Sequence, residues 1–194
     1  MSGQQHSGAY IFRPTDATIN GSLPYTSLGS AQVFNGKVVT QVSLSSDEVI
    51  VNMRFDVKQT SVPGFELETF VNSINIQDNI GKEIVVIVES PEINNNRVFY
   101  TDANGLEMQK RILDYRPTFN FTTDQHASGN YYPVTSAIYI QDNTTGLRAT
   151  FLTDRTHGAT SLKNGQIEVM LHRRLICDDA RGVAEPLNET GTSC

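Results

Sequence analysis

Apolar and polar residues alternate with a period of two along much of this chain. From Val49 to Lys58 the odd positions Val49, Val51, Met53, Phe55 and Val57 are apolar and the even ones mostly polar, the spacing that puts one strand face on a core and the other in water. Lys37 to Leu44 repeats the alternation. Ile84 to Val88 is continuously apolar and β-branched, as in a strand buried on both faces or a short buried helical piece. Phe65 to Ile74, Arg97 to Asp102, Tyr131 to Asp142, Leu147 to Asp154 and Gln166 to Leu175 read as further strands. Asn35-Gly36, Asn104-Gly105 and Asn164-Gly165 are turn dipeptides, and Asn143-Thr144-Thr145-Gly146 reads as a hairpin connection. This pattern predicts an all-β fold, a large antiparallel β-sandwich.

The length of 194 residues suits one unit with a sizeable core and is tight for two. The chain therefore reads as a single domain over 1–194, with 15–28, rich in Thr, Ser, Gly and Pro, as a long loop. A net charge of -6 with 19% charged residues lacks the basic balance that a phosphate backbone needs, so nucleic acid is not expected as a partner. No apolar run is long enough to cross a bilayer, so no membrane partner is expected either. The start MSGQQHSGAY lacks a signal-peptide pattern, and any export signal is expected outside this chain.

Asn20, Asn120, Asn143 and Asn188 each open an N-glycosylation triplet, which tilts the reading towards the secretory pathway. Cys177 and Cys194 are too few for a disulfide scaffold; two free thiols or one bridge are both open. His6, His126, His157 and His172 are scattered outside any metal-ligand spacing.

The densest charge follows the last strand. By unbroken alternation Arg173 shares the phase of Ile167, Val169, Leu171 and Leu175, while Arg174 shares that of Glu168, Met170 and His172. A guanidinium on a core face needs a carboxylate. Asp178, Asp179 and Glu185 are therefore expected to clamp Arg173 and Arg181 in an ion-pair cluster that fixes an irregular loop. That loop either braces the fold or offers a polar corner to a sugar. Adjacent acids in an extended chain point opposite ways, so Asp178-Asp179 is a poor catalytic pair.

Four segments go beyond pattern: SGAYIFRP at 7–14, FYTDANGLEM at 99–108, GNYYPVT at 129–135, and LTDR at 152–155 followed by HRRL, DD-x-RGV and EPL up to 187. Together they resemble the C-terminal β region of the zinc-dependent retaining α-mannosidases of glycoside hydrolase family 38, and within it the lysosomal branch. The resemblance implies a galactose-mutarotase-like β-sandwich that belongs to an enzyme hydrolysing α-linked mannose of N-glycans. The zinc ligands and the nucleophile would lie in the enzyme's N-terminal catalytic part, so the segment alone is expected to be inactive and to hold no cofactor. Its partners would be the catalytic and helical domains of the same enzyme and mannose-containing glycans, in a lysosomal or extracellular setting. By the same resemblance Tyr10, Arg173 and Arg174 would line the substrate pocket. A non-catalytic carbohydrate-binding or structural β-sandwich module is the alternative.

Overall fold

The computed structural model describes residues 5–15, 29–58, 63–122 and 125–190. The expected loop at 15–28 and the Asn20 triplet lie almost wholly outside them. Among the described residues, twelve strands and one short 3-10 helix, Ser128–Asn130, make up the regular structure. The strands are β1 (Gln32–Asn35), β2 (Val39–Ser45), β3 (Val49–Asp56), β4 (Glu66–Val71), β5 (Lys82–Glu89) and β6 (Val98–Ala103), then β7 (Glu107–Ile112), β8 (Tyr132–Val134), β9 (Ala137–Gln141), β10 (Arg148–Leu152), β11 (His157–Thr160) and β12 (Gln166–Arg174). Among the described residues there is no α-helix, and every strand pairing is antiparallel. The strands form three four-stranded sheets, in the orders β1-β2-β3-β4, β10-β9-β6-β7 and β5-β12-β11-β8.

Contacts divide the chain into two compact units where its length suggested one. The described residues of Met1–Ser22 and Gly81–Leu187 make up the first, and those of Leu23–Ile80 and Asn188–Cys194 the second. The first unit is a two-layer sandwich. Phe99, Ile138 and Ile140 from one sheet meet Val134, Ala159, Ile167 and Val169 from the other, with Phe99, Val134, Ile138 and Ala159 completely buried. Alternation supplies each sheet with an apolar face, and pressing two such faces together removes both from water. The second unit is the sheet β1-β2-β3-β4.

The Tyr131 to Asp142 run, which reads as one strand, is divided in two. Asp102 Oδ1 accepts the N–H groups of Thr135, Ser136 and Ala137 at 2.8, 3.0 and 3.2 Å, and its Oδ2 accepts that of Gly105 at 2.7 Å. One buried carboxylate thus ties the β6–β7 turn to a corner at which the chain leaves one sheet (β8) and enters the other (β9). Burial alone would raise the Asp102 pKa, but the four N–H groups outweigh it and hold the carboxyl well below the usual range. In that β6–β7 turn Asn104 and Gly105 have φ of 55° and 72°, the left-handed pair that a tight hairpin uses.

Candidate functional site

The last strand does not keep its phase. Met170 pairs with Val85 and His172 with Ile84, so Leu171 is an extra residue in a β-bulge. A single inserted residue exchanges the two faces for everything beyond it. Before the bulge Ile167 and Val169 pair with Val88 and Val86 on the core side; after it Arg173 pairs with Glu83, whose phase is that of Val85 and Ile87. The expectation that Arg173 points with the apolar residues is therefore corrected: it projects with Glu168 and Met170 from the outer face of the sheet. Arg174, half-buried, takes the opposite side of the strand.

The ion-pair expectation changes with it. Arg173 Nε donates to Glu83 Oε2 at 2.7 Å, with side chains 22% and 13% exposed. Its Nη1 donates to the Gly8 carbonyl at 2.7 Å and its Nη2 reaches the Ile11 carbonyl at 3.5 Å. The acid is thus a cross-strand neighbour, not one of the downstream carboxylates. Burial pushes the Glu83 pKa up, and the Arg173 charge and hydrogen bond only partly offset it.

Asp179, 1% exposed, grips the same segment from the other side. Its Oδ2 accepts the N–H groups of Tyr10 and Ile11 at 2.7 and 3.0 Å, and its Oδ1 that of Arg181 at 3.1 Å. Burial would raise its pKa, but these three N–H groups and the Arg181 charge outweigh that and lower it. The Asp179 carbonyl accepts from Gln5 Nε2 at 2.7 Å, and the Arg181 guanidinium reaches Gln5 Oε1 at 2.8 Å. Of the expected cluster, then, Asp179 and Arg181 act on the N-terminal segment, Asp178 is exposed, and Glu185 accepts the Leu187 N–H at 3.2 Å.

Gly8 is required for this closure, because a Cβ there would lie 2.5 Å from the Asp179 Cβ. Ser7 closes the base: its hydroxyl donates to the Arg13 carbonyl at 2.9 Å and accepts the Arg13 N–H at 2.8 Å. Phe12 packs edge-on against Tyr131 with ring centroids 5.3 Å apart. The Tyr131 hydroxyl donates to buried Glu168, and burial together with that carboxylate pushes the Tyr131 pKa far up. Against this anchoring, Tyr10 stands 63% exposed at the turn of the segment. The geometry fixes the backbone on both sides of one phenol and leaves its side chain largely exposed. Glu83, Gln5 and Glu168 escape a reading of the sequence because only strand register and distant closure bring them here.

The family model described as "Glycosyl hydrolases family 38 C-terminal domain" matches residues 2–181. The chain belongs to this family. It is 39% identical to the lysosomal α-mannosidase of Dictyostelium discoideum over 188 residues, 96% of this chain and 18% of that protein. The human and mouse lysosomal α-mannosidases match at 39% over 195 and 40% over 192 residues, each covering 97% of this chain and 18% of the relative. The chain thus spans less than a fifth of the length of these relatives.

The tied segment 5–13 and the β12 bulge both fall within the stretch matched to family 38. No three His, Cys, Asp or Glu side chains among the described residues are grouped to hold a metal ion. His126 Nδ1 lies 3.2 Å from Asp114, and His157 Nδ1 lies 2.7 Å from the Met170 carbonyl. Cys177 is a half-buried free thiol, while Cys194 falls outside the described residues. Asn120, Asn143 and Asn188 are all exposed.

Proposed function

We propose that this chain is the C-terminal β-domain portion of a larger family 38 α-mannosidase and that it presents Tyr10 to a mannose-containing glycan. The observation that carries the reading is a largely exposed phenol on a backbone tied down by Asp179 and Arg173. A phenol gives a sugar a flat apolar face and its hydroxyl a donor and acceptor for a ring hydroxyl. Because the flanking amides and carbonyls are already bonded, little ordering remains to be done on binding. In this role Arg173 and Asp179 are positioning residues. They set where Tyr10 stands and do not touch the sugar. Arg174, on the other side of the strand, is left out of the subsite.

The chemistry of glycoside cleavage belongs in this reading to the preceding catalytic and helical domains. A zinc ion there would supply Lewis acidity at the sugar. The part this reading gives the segment is substrate contact. The lysosomal relatives support a place in the secretory pathway and lysosome, and the exposed triplets at Asn120, Asn143 and Asn188 are proposed as glycan carriers.

The test is Tyr10→Phe in the larger enzyme, assayed on an α-mannoside. Loss of one hydrogen bond to substrate, about 1–1.5 kcal/mol, lowers kcat/KM by about 5- to 12-fold while the ring packing is kept. Unchanged kcat/KM removes Tyr10 from the site.

A further inference from the structure

The sheet β1-β2-β3-β4 has two unlike faces. Its register lines up Val33, Val42, Met53 and Leu67 across all four strands, and Leu44 lies opposite Val51 two residues along. Paired residues project to the same side, so these side chains form one apolar surface. Phe55 continues it at one end, stacked on Phe65 with centroids 5.4 Å apart. The other face is mixed, with a polar mesh at its centre. Ser43 donates to Asn52 at 2.7 Å, Asn52 donates to Glu68 at 3.1 Å, and Arg54 bonds Gln41 at 3.1 Å and Glu68 at 2.6 Å. The polar groups at its centre are satisfied, and Phe34, Phe70 and Val39, 54%, 49% and 38% exposed, stand around them.

The apolar face is only partly withdrawn from water, with Val42, Leu44, Val51, Met53 and Leu67 half-buried. Val33 is 57% exposed, Phe65 48% and Phe55 37%, and the described residues of this unit contain no second sheet. A β-sheet with one apolar face is stable only when a second layer covers that face.

We propose that this face docks an apolar sheet supplied in cis by the rest of the α-mannosidase polypeptide, closing a second sandwich. The proposal rests on the reading of the chain as part of a larger enzyme and goes further by naming the surface and its occupant. The matched segment is 18% of the length of the relatives, which leaves most of such a polypeptide to supply the layer. A covering sheet on the same chain also acts at an effective concentration in roughly the millimolar range, which a free second copy does not reach. The net charge of -6 opposes self-association further. The partner surface is a row of aliphatic and aromatic side chains, packed about 10 Å from this sheet.

Val33 and Phe34 make the test, being neighbours with nearly equal exposure, 57% and 54%, on opposite faces of β1. Each is replaced by cysteine in the larger polypeptide, and maleimide labelling at each position is followed by mass spectrometry in native buffer and in urea. We expect Val33→Cys to be protected at least about 30-fold relative to urea, and Phe34→Cys less than about threefold, as burial on one face alone requires. Equal labelling at the two positions overturns the proposal. So does protection of Val33→Cys that disappears on dilution as a dimer dissociates, since a second copy is then the occupant. Where a cysteine variant does not fold, Val42→Asp and Gln32→Asp replace it, Gln32 being exposed on the face opposite Val42: the first is expected to lower the melting temperature sharply and the second to leave it, and equal effects overturn the proposal. An unaltered kcat/KM for Tyr10→Phe would leave this result untouched, so the two readings fail separately.

Discussion

Replacing Arg173 by methionine removes the cation and leaves Glu83 in place. The variant strands a carboxylate only 13% exposed and frees the Gly8 carbonyl that Arg173 held at 2.7 Å. Breaking a buried pair from one side costs about 3–5 kcal/mol, and the residual solvent access here puts the loss near about 3 kcal/mol at neutral pH. For a chain of this length that is a fall in Tm of about 6–12 °C. The sign of the pH dependence follows from Glu83, whose pKa burial has already raised against the pull of Arg173. Without the arginine it rises further. A raised folded pKa contributes stability that is fully present below the unfolded value, about 4.3, and is lost as pH rises through the folded one. The penalty of Arg173→Met is therefore larger at pH 7.5 than at pH 4.5, and adding Glu83→Gln recovers about half of it at pH 7.5. Thermal unfolding followed by circular dichroism at both pH values gives these numbers, and hydrogen exchange over residues 8–12 reports on the released segment. A loss below about 1 kcal/mol, or an equal loss at both pH values, refutes the argument. So would a larger effect from Asp178→Ala, which removes an exposed acid and is expected to change stability by less than about 0.5 kcal/mol.

Asp179→Asn should speed hydrogen exchange at Tyr10 and Ile11, because an amide oxygen cannot serve the donors on both sides of the carboxylate. In the unaltered protein the same amides should stay protected at neutral pH and lose protection as pH falls below the ordinary carboxylate range, since a depressed folded pKa gives stability that is lost on the acid side. Gly8→Ala should lower stability by about 1–3 kcal/mol in the same thermal assay, through overpacking against both the side chain and the backbone N of Asp179. Expression in a secretory host followed by peptide mass spectrometry should find glycan on Asn143, which is exposed in the turn between β9 and β10; an unmodified Asn143 beside modified Asn120 and Asn188 would count against its assignment.

The strands with an alternating apolar face were legible residue by residue. Val49–Asp56 and Val39–Ser45 fall within a residue or two of where periodicity puts them. The strands missed were short or polar: Gln32–Asn35 is exposed throughout, Glu107–Ile112 is an edge strand of mostly long polar side chains, and His157–Thr160 is too short to show a period. Turn chemistry could have found two of them. Asn35-Gly36 and Asn104-Gly105 each join a recognised strand to an overlooked one.

The sequence by itself determined the all-β class, most strand positions, the membership of family 38 and the importance of the charged residues after the last strand, because each depends on local spacing or on long runs of residue identity. Only the tertiary structure decided which carboxylate meets Arg173, which backbone Asp179 holds, and which way the arginine points. One extra residue in β12 reverses every face beyond it, and Glu83 and Gly8 reach Arg173 across 90 and 165 positions of chain. Alternation is a local property and register is a collective one, set by how all the apolar faces close together.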